Sequence, residues 1–110
     1  MSNSVIRIMS RQLRDRKVSA QELTAIALRS ASRLNDKIGA FELIDEQSAL
    51  IAAKRLDEEL RSGRDRGPLH GIPIAIKDII DVFGWPTRCG SDAYGDAPAT
   101  EDAVAVRNLR

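Results

Sequence analysis

The sequence predicts a small domain of mixed helices and strands. Apolar residues recur at steps of three and four through most of residues 1–62, which is the period of an amphipathic helix. Five isoleucines then cluster within residues 69–82, which is typical of a buried strand. With 43% hydrophobic and 30% charged residues, the 110-residue chain is too apolar to be disordered.

Charge and cysteine content exclude several classes of protein. Seventeen Lys and Arg face sixteen Asp and Glu, and the resulting net charge of +1 argues against a dedicated nucleic-acid binder. The single cysteine, Cys89, excludes an internal disulfide framework and a multi-cysteine zinc site. His70 has no nearby Cys or His with which to share a metal.

The apolar residues of the chain do not indicate membrane association. Arg7 interrupts the apolar start, so we expect no signal peptide. Nowhere does an apolar run approach the roughly 20 residues that a bilayer requires. We therefore expect a cytoplasmic protein without membrane contact.

The first two-thirds of the chain predicts helix, helix, strand and helix. We assign residues 1–18 to an N-terminal helix segment and residues 19–66 to a helix-strand-helix segment. Ser19 and Glu22 have the spacing of a capping box at the start of the second helix. Residues 40–44, with Phe and Ile, predict a short strand.

The third helix is predicted over residues 46–62. Asp45 is a good N-cap, and Gly63 suits the position after the last turn. Asp57 and Arg61 have the i,i+4 spacing of an ion pair on a solvated face.

Residues 67–110 predict a lysine-bearing strand, a loop and the start of another helix. The strand covers residues 69–82, and the glycine- and proline-containing loop covers 83–98. Thr100 is the expected cap of the last helix, whose apolar face has barely begun at Arg110. We expect a chain cut inside a larger fold; the alternative is a frayed natural terminus.

Lys77 is the candidate catalytic residue. In a strand, the isoleucines at 72, 74 and 76 point to one face, while Lys77 follows small residues on the other. Partial desolvation there would lower the lysine pKa and let the amine act as a base. The alternative is a lysine that reaches water or pairs with Asp78 or Asp81.

The segment around Lys77 resembles the amidase signature family. The resemblance rests on Gly-Pro-Leu-His-Gly-Ile-Pro-Ile-Ala-Ile-Lys-Asp at 67–78, followed by Gly84, Pro86-Thr87 and Gly90-Ser91. It extends over most of the chain. It implies an α/β fold with a mixed central sheet flanked by helices, to which this chain contributes the N-terminal part.

The resemblance also implies a Ser–cis-Ser–Lys triad that cleaves the C–N bond of a carboxamide. Lys77 matches the family lysine, whereas the two serines of the family have no counterpart here. Ser91 is interpreted as part of the loop. The 110 residues alone are therefore expected to be inactive. No metal or organic cofactor is expected, because side chains supply both nucleophile and base.

Several alternatives stay open at this point. The same chemistry serves the amidase subunit of glutamyl-tRNA amidotransferase, although Asp-Ile-Ile-Asp-Val at 78–82 looks more like the stand-alone hydrolases. An inactive truncated fragment or a small interaction module is a different class. A Cys89–His70 dyad weighs less than a buried, inert thiol. The expected partner is a small-molecule amide, without direct nucleic-acid contact; a homodimer of the full-length protein is left open.

Overall fold

The computed structural model describes residues 4–110, and the chain divides into two compact units, one ending at residue 73 and one formed by residues 74–110. The first unit contains three helices: α1 (Val5–Arg14), α2 (Ala20–Ile38) and α3 (Glu46–Arg61). The second contains a short 3₁₀ turn at Asp92–Tyr94 and helix α4 (Val104–Leu109). Whether all these residues belong to one catalytic domain stays a prediction.

The capping box at the start of α2 is confirmed. The Ser19 hydroxyl accepts a hydrogen bond from the Glu22 amide at 3.0 Å, and the Glu22 carboxylate accepts one from the Ser19 amide at 2.7 Å. These two bonds satisfy amides that a helix start leaves without intrahelical partners. At the other end, Gly39 takes the left-handed conformation (φ +56°) that terminates the helix.

Helix α3 begins where predicted, at Glu46, and ends at Arg61, one residue before the predicted end. The Asp45 carboxylate accepts a hydrogen bond from the Ser48 amide at 3.0 Å, so Asp45 is the N-cap. Gly63 follows the last turn with φ +89°, a conformation that residues with a Cβ rarely adopt.

Asp57 connects α3 to the N-terminus of α2. Its carboxylate accepts hydrogen bonds from the backbone amides of Ala20 (2.6 Å) and Gln21 (3.1 Å), and from the Gln21 side chain (3.0 Å). The i,i+4 spacing to Arg61 therefore gave an incomplete account of this residue, since its hydrogen bonds reach another helix.

The core of the first unit lies where these three helices meet. Leu13 is 2% exposed and packs in one buried cluster with Ala20, Leu23 and Ala53. Partly buried residues surround this cluster: Met9, Val18, Leu56, Leu60 and Ile72. A core of so few fully buried side chains makes polar ties such as the Asp57 contact more important to the packing of α2 on α3.

The predicted strand at 40–44 is wrong. Those residues are irregular, and both backbone groups of Phe41 bond to the Asn35 side chain. The Asn35 side-chain nitrogen donates to the Phe41 carbonyl at 2.9 Å, and the Asn35 side-chain oxygen accepts from the Phe41 amide at 2.7 Å. Phe and Ile favour strands only where a neighbouring strand supplies hydrogen-bond partners. Here a single side chain supplies them instead.

The predicted lysine strand at 69–82 is also wrong for the described residues. Turns begin and end the segment, and residues 72–77 between them have no regular secondary structure. Between residues 4 and 110 the only β-type pairings are two isolated bridges, Phe83 with Ala99 and Pro86 with Pro98. An isoleucine-rich segment needs a neighbouring edge to become a strand, so the expected mixed sheet is not seen in this part of the chain.

The last helix starts later than expected. Its N-cap is Ala103, not Thr100, and no side chain caps it. Asp102 instead accepts a hydrogen bond from the Phe83 amide at 2.7 Å, while the Ala103 amide donates to the Asp81 carbonyl at 2.9 Å. These contacts tie the start of α4 to residues 81–83 of the same unit.

Candidate active site

Lys77 lies in the second unit, at the first position of a tight turn. Its carbonyl accepts a hydrogen bond from the Ile80 amide at 3.0 Å. The lysine is exposed within the described residues. Its expected desolvation concerns a site completed by further segments, and so it stays a prediction.

We refer to residues 77–81 as the aspartate turn, because Asp78 and Asp81 hold it against the loop of residues 86–91. The Asp78 carboxylate accepts a hydrogen bond from the Arg88 amide at 3.0 Å, and the Asp78 carbonyl accepts one from the Cys89 amide at 2.8 Å. The Asp81 carboxylate accepts one from the Thr87 hydroxyl at 2.7 Å. Three consecutive loop residues are thus bonded to the turn that carries the lysine.

The loop itself has a defined backbone. Cys89 has φ +53° and Gly90 has φ +69°, so two successive residues adopt the left-handed region. The Ser91 amide donates to the Arg88 carbonyl at 2.9 Å and closes the turn. Ser91 also caps the 3₁₀ turn through a bond from the Ala93 amide at 3.2 Å, which confirms its interpretation as loop structure.

One carboxylate oxygen of Asp78 accepts no hydrogen bond from the described residues. Oδ2 is buried and has no hydrogen-bond partner among residues 4–110. Removing one partner from a buried polar group costs about 1–3 kcal/mol, so this oxygen works against stability. The alternative that Lys77 pairs with Asp78 gains no support, because Oδ2, the oxygen that the Arg88 amide leaves free, has no hydrogen-bond partner among the described residues.

The hydrogen bonds of His70 leave its ring no free nitrogen with which to activate a thiol. The buried His70 ring bonds to the Leu56 carbonyl through Nε2 at 2.8 Å and accepts a bond from the Arg66 amide at Nδ1, 3.1 Å. Both ring nitrogens are therefore committed to backbone groups. Cys89 is a free, exposed thiol, so the expectation that it is buried was wrong.

Metal-binding clusters and membrane-spanning helices are both absent from residues 4–110. This part of the chain contains no group of three or more His, Cys, Asp or Glu side chains placed to hold a metal ion. None of its helices combines the length and apolar character that a bilayer-spanning segment needs.

Comparison with known proteins identifies the family. The family model described as Amidase matches residues 22–110, which is more than half of the chain and includes Lys77 and the aspartate turn. The chain belongs to the amidase family. The resemblance to the amidase signature family is thereby confirmed.

Two groups of amidase relatives match at similar identity. The chain is 40% identical over 99% of its length to a glutamyl-tRNA(Gln) amidotransferase subunit of Nitrosomonas europaea, and 36% identical over 99% to the same subunit of Dechloromonas aromatica. It is 41% identical over 90% of its length to the protein named "Putative amidase AmiA2" of Mycobacterium tuberculosis. In each case the chain spans about a fifth of the relative (20–22%).

The sequence predicted a catalytic role for Lys77, which stays a prediction, but not how the backbone beside it is held. The signal was present: Asp78 and Asp81 are three residues apart across an isoleucine pair, and Cys89-Gly90 follows within a short loop. Aspartates at this spacing commonly accept bonds from nearby backbone groups in turns. The strand interpretation hid this, because it assigned the same residues to a regular ladder.

Proposed function

We propose that the complete protein hydrolyses the C–N bond of a carboxamide, giving a carboxylate and ammonia or an amine. The observation that supports this is membership of the amidase family over residues 22–110. In this proposal the chain is the N-terminal portion of one catalytic domain, and Lys77 is the general base of a Ser–cis-Ser–Lys relay. The substrate is a small-molecule amide.

The proton balance of the relay is simple. Neutral Lys77 accepts a proton from the bridging serine, which takes one from the nucleophilic serine as its oxygen bonds to the amide carbon. When the C–N bond breaks, that proton passes to the leaving nitrogen. Water then attacks the acyl ester by the same route and releases the carboxylate.

The two serines are expected outside this chain. Its serines are Ser2, Ser4, Ser10, Ser19, Ser30, Ser32, Ser48, Ser62 and Ser91, and none lies in a glycine-serine-rich run. The isolated 110 residues should consequently have no amidase activity. In the complete protein, the segment at 72–77 would join the mixed sheet by pairing with strands from later in the chain.

The first experiment is to read the coding frame beyond Arg110. A glycine-serine-rich loop downstream would support the proposal, whereas an immediate native stop would favour an inactive remnant. The second experiment assays ammonia release from simple carboxamides by the complete protein. Lys77→Ala should lower kcat by about 10²–10⁴-fold, the usual effect of losing a general base.

Lys54→Ala is the matched control for that assay. Lys54 is another exposed lysine, on α3, and its loss should leave kcat within about twofold of the unchanged protein, as for most surface substitutions. Equal activity of the Lys77→Ala and Lys54→Ala proteins would refute the assignment of Lys77.

A second candidate keeps the chemistry and changes the assembly. Relatives named as a subunit of glutamyl-tRNA(Gln) amidotransferase match almost the whole chain at 36–40% identity. Under this alternative, the protein releases ammonia from glutamine for a partner subunit. Glutamine hydrolysis that appears only with partner subunits and charged tRNA would favour it; turnover of simple amides by the protein alone would favour the stand-alone hydrolase.

The candidate from another class is a non-catalytic fragment or interaction module. The small buried core of the first unit bears on it, since a chain that folds by itself should unfold cooperatively. Cooperative urea unfolding of residues 1–110 would support a self-sufficient module, and aggregation through exposed apolar surface would count against it.

A further inference from the structure

We propose that Asp78 is a positioning residue for Lys77, acting through its hydrogen bond to the 86–91 loop. This inference rests on the proposed function, because it assigns a role in presenting the general base. It concerns the placement of the amine and not any contact with substrate.

The backbone that follows the lysine side chain is held by three hydrogen bonds. The Lys77 carbonyl accepts one from the Ile80 amide at 3.0 Å. The next residue, Asp78, uses its carbonyl and its carboxylate to accept bonds from two consecutive amides, those of Cys89 and Arg88, at 2.8 and 3.0 Å. The direction in which Lys77 leaves the chain is therefore set by residues ten or more positions away.

The hydrogen bonds between Asp78 and the 86–91 loop have a defined geometry because the backbone of that loop is constrained. Cys89 and Gly90 both have positive φ, and the bond from the Ser91 amide to the Arg88 carbonyl closes this turn. The Arg88 and Cys89 amides consequently point in fixed directions. A carboxylate that accepts from one of them is held in one orientation, with its Oδ2 buried.

A general base must lie within hydrogen-bond reach of the hydroxyl it deprotonates, and a displacement of about 1 Å can cost on the order of 100-fold in rate. Loss of the Asp78–Arg88 bond removes one of the hydrogen bonds that hold the aspartate turn against the 86–91 loop. The expected effect is therefore on kcat, with KM nearly unchanged, because in this proposal Asp78 acts on the amine and makes no contact with substrate.

The test uses the complete protein and measures kcat and KM for a simple carboxamide. Asp78→Ala should lower kcat by about 10–100-fold with KM within about threefold. Asp78→Asn retains an acceptor oxygen for the Arg88 amide and should restore kcat to within about threefold. Hydrogen exchange at the Arg88 amide should be faster in the alanine variant and slow in the asparagine variant.

Asp96→Ala is the matched control. Asp96 is an exposed carboxylate that pairs with the Arg88 side chain at 2.7 Å, so its removal disturbs the same residue without touching the Arg88 amide bond. Its kcat should be unchanged. If Asp78→Ala does not fold, Asp78→Glu keeps the charge but displaces the acceptor, and it should be slower than Asp78→Asn.

The outcomes separate the two proposals. Loss of activity in Lys77→Ala with full activity in Asp78→Ala, or in Asp78→Glu, overturns the positioning role alone. An asparagine variant as slow as alanine, with its fold intact, also overturns it. Full activity in Lys77→Ala overturns both proposals, while the ordered series described above supports both.

Discussion

Asp57→Ala is expected to destabilise the first unit by about 2 kcal/mol. The carboxylate accepts from the Ala20 amide at 2.6 Å, from the Gln21 amide at 3.1 Å and from the Gln21 side chain at 3.0 Å. It therefore caps α2 from outside that helix. Its removal leaves the Ala20 amide, in a residue only 1% exposed, without this acceptor.

The expected loss of stability combines two destabilising effects and one that offsets them. Loss of an N-terminal cap costs about 0.5–2 kcal/mol, and loss of a negative charge near a helix start costs about 0.3–1 kcal/mol. Alanine is a better helix former than aspartate by up to about 0.7 kcal/mol, which offsets part of this loss within α3. A net destabilisation of about 2 kcal/mol, at the upper end of this range, reflects the buried Ala20 amide.

Urea unfolding followed by circular dichroism at 222 nm measures this difference. Glu58→Ala is the matched control, since Glu58 is the next residue on α3 and is exposed. Asp57→Asn keeps an acceptor without the charge, so its loss of stability should lie between those of Asp57→Ala and Glu58→Ala. If Asp57→Ala and Glu58→Ala differ by less than about 0.5 kcal/mol, the range of ordinary surface substitutions, the capping argument is wrong.

Two further predictions concern the end of the first unit. Gly71→Ala should lower the free energy of unfolding by about 2 kcal/mol or more, because φ is +79° and the new Cβ would lie 3.1 Å from the Ala20 Cβ. Gly63→Ala is the control: φ is +89° and no atom lies within 4 Å of the new Cβ, so it should show the cost of the backbone conformation alone. Urea unfolding of the two variants compares these costs. The Gly67 amide donates to Asp65 and holds the pKa of that carboxyl below its usual value. A carboxyl whose pKa is lower in the folded than in the unfolded state stabilises the fold above the unfolded-state pKa, and this stabilisation is lost as pH falls through the folded-state pKa. Asp65→Asn should therefore be less stable than the unchanged protein at pH 6, and the difference should shrink as pH falls below the ordinary aspartate pKa of 3.8. Urea unfolding at a series of pH values measures the difference, and a difference that does not change with pH would refute this prediction.

The sequence predicted the local features of the fold well. The Ser19–Glu22 capping box, the Asp45 cap and the Gly63 terminator depend on residues within one turn of each other, and the structure contains all three. Such signals are readable because the interacting groups are fixed by helix geometry alone.

Features that depend on distant residues were missed. The strand at 69–82 was predicted from isoleucine content, but pairing requires a second strand, which residues 4–110 do not provide. The Asp57 tie joins residues 37 positions apart, and nothing in local spacing indicates it. Likewise, the motif predicts a catalytic role for Lys77, but the bond from Arg88 to Asp78 spans a loop whose shape the motif does not reveal.

Helix α2 receives, besides the Ser19 cap, a second cap from a residue 37 positions after Ala20, which has a consequence for the order of events during synthesis. While the ribosome is still adding residues before Asp57, the first turn of α2 has only its own capping box to hold it, and isolated helices are marginal in water. We expect the nascent α2 to fray at that end until α3 has emerged and docked. The first turn of α2 therefore becomes fully hydrogen-bonded only after Asp57 has been synthesised.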